Sequence, residues 1–201
     1  MIRKPRELLI LGTGGHARAC GDIAISSGYF ARVFYVGEVA CPGSIESAKM
    51  DVIGSDRDLP ALRRTFAHAF VGVGFLRSCA VRVRLFETLV NLDFSIATLI
   101  CSSAYTSTSS VIGRGTIVMP QSVVGSNVTV GVNSILNSGC IVEHDSQIGA
   151  QTHVSTGVII NGACRVGDRV FIGSGSVLRQ EINVRQDSYI KMGTAVKSDI
   201  I

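Results

Sequence analysis

Four histidines occur in this 201-residue chain, and one of them stands between two acids: Glu143-His144-Asp145. A carboxylate bonded to one imidazole nitrogen fixes the tautomer and raises the basicity of the other. That other nitrogen can take a proton from an attacking amine or hydroxyl, which is general-base work. His144, with Asp145 and Glu143 beside it, is therefore the candidate catalytic centre. His153 follows nine residues later in a polar stretch, Gln151-Thr152-His153. His68 reads as a surface residue of a helix and receives no role. A solvated surface ring is the plain alternative for any of these histidines, and the flanking acids set His144 apart. Two histidines in the second half fall short of a three-histidine zinc set, so no metal is expected. The six cysteines (20, 41, 79, 101, 140 and 164) form no Cys-x-x-Cys pair and read as reduced core thiols.

A second cluster is Gly12-Thr13-Gly14-Gly15-His16-Ala17. Gly12, Gly14 and Ala17 match the G-x-G-x-x-G/A spacing, and Glu38 comes 21 residues after Ala17. Glycines let a phosphate approach the backbone, and the helix that follows offers its positive end. Gly14, Gly15 and His16 are the candidate ligand-binding residues. The motif does not name its ligand. A nucleotide-like ligand, a redox dinucleotide and a plain tight turn all fit. About 90 residues is half a dinucleotide domain, and no second half is available for a nicotinamide.

These residues need elements to hold them. Before residue 97 the pattern alternates strand and helix: Leu8–Leu11, a helix from Ala17 to about Ser26, Val33–Val36, a helix opening near Asp58, Ala69–Gly74, and a helix from Arg77 to Leu89. This predicts a small parallel, Rossmann-like α/β unit. From Ile112 onward every sixth residue is aliphatic, through Val196, for fifteen consecutive positions. A period of six matches neither a helix nor an alternating strand. It matches a short strand plus a corner, three per coil, as in a parallel β-helix. The residue after each aliphatic is often Gly or Asn, which suits a left-handed corner. The residue four after each aliphatic is small or β-branched, which suits a narrow inward column. Within one 18-residue coil, His144 and His153 fall on roughly opposite sides. They could meet only across an interface, which predicts an oligomer with a shared cleft, and a three-sided prism fits a trimer.

Composition agrees. Apolar residues make up 46% of the chain and charged ones 17%, with no Trp and 22 Gly, which excludes disorder and coiled coil. The net charge is +4, with 12 basic against 9 acidic residues up to position 105 and 7 against 6 beyond it, too even for nucleic acid. No run approaches the roughly 20 apolar residues of a membrane span, and no secretory signal is legible, so a cytoplasmic protein is expected.

The order of the motifs, GTGGHA, then hexads, then LNSGCIVEHDSQIGAQTHVSTG, resembles the NeuD/PglD-type sugar acetyltransferases. The resemblance spans nearly the whole chain, and its specific part is the EHD segment with the following THVS. It implies a Rossmann-like sugar-nucleotide-binding domain over 1–97 and a left-handed β-helix acetyltransferase domain over 98–201. Left-handedness comes from the resemblance alone, since parallel crossovers are generally right-handed. It implies a homotrimer that moves acetyl from acetyl-CoA to the amino group of a UDP- or GDP-linked 4-amino-4,6-dideoxy sugar in bacterial surface glycan synthesis. His144 would be the base and Asp145 its carboxylate. Asn137 would line the substrate site, and Gly14, Gly15 and His16 the sugar-nucleotide loop. His153 would meet the thioester end of acetyl-CoA, with Gly162, Gly173 and Ser174 along the pantetheine arm. The chain departs from the family in three places: Val36-Gly37-Glu38 replaces an Asp-Asp pair, Cys101-Ser102-Ser103-Ala104 replaces an H-P-S-A-like entry, and the Pro-containing tail is absent. O-acetylation of sialic acid or a related sugar is the nearest rival, and a non-catalytic trimeric nucleotide-sugar scaffold is the rival of another class.

Overall fold

The computed structural model describes residues 6–38 and 50–201. The chain folds as two compact units: residues up to 74 together with 80–99, and residues 75–79 together with 100–201.

The first unit is a five-stranded parallel sheet: β1 (Glu7–Leu11), β2 (Arg32–Val36), β3 (Val52–Gly54), β4 (His68–Val71) and β5 (Ser95–Ile96), in the order β3-β2-β1-β4-β5. Its helices are α1 (Gly15–Ser26), the short α2 (Leu59–Leu62) and α3 (Ala80–Asn91). Leu8 to Leu11 are fully buried, as a central parallel strand requires. The strand β3 is not among the expected elements: its Val52-Ile53 pair is β-branched but too short to stand out as a strand. α3 begins at Ala80 rather than Arg77. His68 opens β4 instead of lying on a helix, and its half-buried ring meets the edges of Tyr29 and Phe30. The aromatic neighbours come from a distant part of the chain, so no local pattern could reveal them.

The second unit holds seventeen two-residue strands in three parallel sheets. One face stacks Leu99–Ile100, Ile117–Val118, Ile135–Leu136, His153–Val154, Phe171–Ile172 and Tyr189–Ile190. The next stacks Tyr105–Thr106, Val123–Val124, Ile141–Val142, Ile159–Ile160, Val177–Leu178 and Ala195–Val196. The third stacks Val111–Ile112, Thr129–Val130, Gln147–Ile148, Arg165–Val166 and Asn183–Val184. Each strand pairs with the one eighteen residues on, as Val124 does with Val142. The winding is that of a left-handed parallel β-helix. It begins two rungs earlier than the hexads suggested, because Thr106 keeps the phase but interrupts the aliphatic run.

Fourteen of the fifteen predicted aliphatics are buried, all but Ile112. The small-residue column is inward as expected: Thr116, Ser122, Ser134, Cys140, Ser146, Thr152 and Cys164 are fully buried. Its hydroxyls form a ladder. Thr152 Oγ1 donates to Gly167 O at 2.9 Å and accepts the Val170 N–H at 3.1 Å, which satisfies polar atoms that water cannot reach.

The corner reading needs a correction. The left-handed residues lie three positions after each aliphatic, at Gly115, Gln121, Asn127 and on to Gly193, and not one position after it. The glycines one position after have another cause. A Cβ on Gly131, Gly149 or Gly167 would lie 2.4–2.5 Å from the backbone of the next coil. They are glycine for close stacking, not for torsion.

Candidate functional site

His144 sits two residues past Val142, on the corner between the second and third faces. Its carbonyl accepts the Ala163 N–H at 2.9 Å, so the next coil fixes its backbone. Asp145 follows in the left-handed region, with φ of 60°. That turn swings the carboxylate back beside the ring, and His144 Nδ1 lies 2.8 Å from Asp145 Oδ2. Asp145 Oδ1 accepts a hydrogen bond from Asn127 Nδ2 at 3.2 Å. The bonds from His144 and then Asn127 hold the Asp145 carboxyl below its usual range. An ionised carboxylate only accepts, so Nδ1 carries the proton and a neutral ring leaves Nε2 bare. The dyad is open, with the two side chains 64% and 53% exposed.

Gly162 lies eighteen residues after His144, directly on the next coil. A Cβ there would be 2.7 Å from His144 Cε1 and 2.8 Å from Nε2, so a side chain at 162 would push the imidazole out of this position. Glu143, His144, Asn161, Gly162, Ala163, Gln180 and Glu181 line one open hollow of about 300 Å³. Glu143 shares that hollow, but Asp145 holds the ring.

The remaining predicted residues of this unit gather elsewhere. His153 heads a rung of the first face and is 6% exposed. Its Nδ1–H donates to Phe75 O at 2.9 Å, and its ring meets Phe75 and Phe171 edge-on. The polar surroundings expected from sequence are thus largely aromatic, because Phe75 and Phe171 arrive from another segment and another coil. The bare Nε2 lies 3.3 Å from Asn137 Nδ2. Asn137, Ser155 and Gly173 stack at one corner, where Ser155 Oγ and Ser174 Oγ are 2.9 Å apart. Gly173 lets the coils close, since a Cβ would be 2.4 Å from Met192 N. The fold therefore makes two groups on different corners: His144, Asp145, Glu143 and Gly162 on one, and Asn137, His153, Gly173 and Ser174 on the other. Asn127 is the residue that sequence reasoning missed. The signal was available, because it stands one coil, eighteen residues, before Asp145.

In the first unit, β1 runs into Gly12 (φ 122°), and Gly14 caps α1 at its N-terminus. Strand order reverses between β1 and β4, so this turn stands at the topological switch point where α/β sheets bind ligands. The space at Gly14 is open, with nothing within 4 Å of an added Cβ. The first turn of α1 holds no acid that would repel an anion. His16 is half-buried, its ring beside Gly74. Thr13 Oγ1 donates to Glu38 O, tying this turn to the end of β2.

Among the described residues no cluster of three or more His, Cys, Asp or Glu could hold a metal, and no helix is long and apolar enough to cross a membrane. The described cysteines are free, and Cys20, Cys101, Cys140 and Cys164 are buried; Cys41 lies outside the described residues.

Residues 7–89 match the PglD N-terminal domain, and residues 145–180 match the bacterial transferase hexapeptide model of six repeats. No curated protein matches the chain. Among solved structures it is similar to the acetyltransferase domain of PglB from Neisseria gonorrhoeae in complex with acetyl coenzyme A. The identity is 27% over 98% of this chain and 93% of that one, with a TM-score of 0.89. It is also similar to a mutant of perosamine N-acetyltransferase from Caulobacter crescentus in complex with CoA and GDP-perosamine. There the identity is 27% over 96% and 90%, with a TM-score of 0.88. WeeI from Acinetobacter baumannii shares the fold, with 12% identity over 97% and 93% and a TM-score of 0.65. With residues that match the PglD N-terminal domain ahead of its hexapeptide coils, the chain is an acetyltransferase that is similar to those of the PglD/NeuD type.

Proposed function

We propose that the chain transfers acetyl from acetyl-CoA to the amino group of a nucleotide-linked amino sugar, of the 4-amino-4,6-dideoxy class, in surface glycan synthesis in the bacterial cytoplasm. The observation that carries this reading is the His144–Asp145 pair, 2.8 Å apart on an open corner over Gly162. The acceptor nitrogen attacks the thioester carbonyl. His144 Nε2 takes the amine proton as the C–N bond forms, and the tetrahedral intermediate expels the CoA thiolate. Asp145 stabilises the imidazolium, which returns its proton to the leaving sulfur. No covalent acyl-enzyme is required. The diphosphate of the sugar nucleotide lies at the open N-terminus of α1, over Gly14, Gly15 and His16.

The working form is a homotrimer with its site between copies. One chain keeps the His144 group and the Asn137–His153 group on separate corners, so a second copy brings the acetyl donor to the base. The second face supports this, because its outward column is Tyr105, Val123, Ile141, Ile159, Val177 and Ala195, apolar along its whole length. The perosamine N-acetyltransferase similar at 27% identity, solved with CoA and GDP-perosamine, favours amino-sugar acetylation over O-acetylation.

The test is thiol release from acetyl-CoA over a panel of UDP- and GDP-linked amino sugars and of hydroxyl acceptors. Amine-dependent release that falls by about 10²–10⁴ in His144→Ala supports the mechanism. Release with hydroxyl acceptors alone would assign O-acetylation, and wild-type turnover in His144→Ala would sink the reading. Sugar-nucleotide binding without any acetyl-CoA binding would make the chain a scaffold.

A further inference from the structure

Arg82 is a charged side chain that the chemistry above does not use, yet it is fully buried in the first unit. Burial pulls its pKa down to about 10, so it remains a cation at neutral pH. A buried cation is costly unless its donors are used. Its Nη1 donates to Val71 O at 2.7 Å and to Val73 O at 2.8 Å. Val71 is the last residue of β4, so the guanidinium takes up carbonyls where the ladder ends.

The segment it pins is the floor of the glycine-rich turn. Gly72 N–H donates to Leu11 O at 2.7 Å. A Cβ on Gly72 would be 2.5 Å from Ile10 Cγ2 and 3.0 Å from Ala17 Cα, so the strand end presses on the first turn of α1. On the other side, a Cβ on Gly12 would be 3.0 Å from Val73 Cγ2, and one on Gly74 would be 3.6 Å from His16 Cγ. Residues 71–74 therefore contact the turn at Gly12, His16 and Ala17. Burial pushes the Cys20 thiol of α1 up to about 12, and the Arg82 charge opposes that rise in part, so the guanidinium lies within reach of α1.

The geometry points to Arg82 as a positioning residue: it holds the Val71–Gly74 strand end in the shape that seats the Gly12–Ala17 turn, and its charge adds to the positive end of α1 that receives the diphosphate. This rests on the reading of that turn as the nucleotide-sugar loop. A cation supplies both the donors and the charge, and the planar guanidinium fixes their direction, so Arg82→Lys should retain function in part and Arg82→Met should not.

Two measurements on the full chain test it. Binding of inorganic pyrophosphate by calorimetry reads the loop without any turnover, and it should weaken roughly tenfold in Arg82→Met and less in Arg82→Lys. In steady-state assays the KM for the nucleotide sugar should rise by a similar factor while the KM for acetyl-CoA holds. Wild-type pyrophosphate binding in a folded Arg82→Met overturns the proposal. So does a loss of activity that follows the fall in melting temperature with both KM values unchanged. If Arg82→Met does not fold, Arg82→Lys alone decides, and wild-type binding in it overturns the proposal. Pyrophosphate binding that depends on Arg82 in a chain that acetylates no sugar would uphold Arg82 and overturn the acetylation reading, so the two failures are distinguishable.

Discussion

At the scale of single residues, the proposed chemistry depends on one nitrogen being bare. His144 Nε2 is bare because Nδ1 is committed to Asp145, and the bonds from His144 and Asn127 keep Asp145 ionised to lower pH than an ordinary carboxyl. Asp145→Asn can donate its amide to Nδ1 and so favour the wrong tautomer. It should lower kcat by about 10²-fold or more while melting like the parent. Asn127→Ala removes one of the two bonds that depress the Asp145 carboxyl. An NMR titration should then find that carboxyl nearer its ordinary value, and an unchanged titration would exclude the role given to Asn127. The pair His144-Asp145 was legible because its members are adjacent in the chain. Asn127 reaches Asp145 only through the stacking of coils, so its meaning appears once the coil length is known. The surroundings of His153 were misjudged for the same reason: nothing near it in sequence announces Phe75 or Phe171.

At the scale of the rung, two kinds of glycine do different work. Gly149 faces the backbone of the next coil, and a Cβ there would be 2.4 Å from Gly167 C. Gly157 has φ of 66° and open space around it. Gly149→Ala must push coils apart and should cost more, on the order of 1–3 kcal/mol. Gly157→Ala meets only torsional strain and should cost about 1–2 kcal/mol. Thermal melts of the two variants check the order, and a larger loss in Gly157→Ala would contradict this account of the corners. Charges also tie coil to coil: Arg169 Nε lies 2.6 Å from Asp187 Oδ1 one coil on. The carboxyls of Asp187 and Asp199 are lowered, mainly by bonds from Arg169 and Asn183 respectively. A lowered carboxyl favours the folded state while ionised. That contribution is present above the ordinary carboxyl pKa of about 4 and is lost as pH falls through the folded values. Arg169→Ala should therefore move the acid unfolding midpoint upward, as followed by circular dichroism.

At the scale of the whole molecule, a β-helix coil buries its inward columns by itself, but an apolar outward column needs a partner. The second face carries Ile141 and Ile159, half-buried, and Val177, 39% exposed, in one stripe. Ile141→Asp places a charge in the middle of that stripe. In the proposed homotrimer each site draws on two copies, so sedimentation should then show a shift from trimer toward monomer, and acetyl transfer should fall with it. A variant that stays trimeric, or a monomer that keeps full activity, would argue against the shared cleft.

The sequence by itself determined what repeats and what is local. A period of six forces a strand and a corner in each hexad, so the rungs, the buried aliphatics and the inward hydroxyl column could all be read from spacing. The alternation of the first unit and the acid-flanked histidine could be read as well. Only the tertiary structure decided what depends on neighbours a coil or more apart. It decided that the left-handed residue stands three places after the aliphatic and that Gly162 clears room for the His144 ring. It also showed that Phe75 encloses His153 and that Arg82 is buried under the end of β4. The physical reason is common to all of these: periodicity records which way a residue points, whereas the identity of its neighbour is fixed only when the chain returns beside itself.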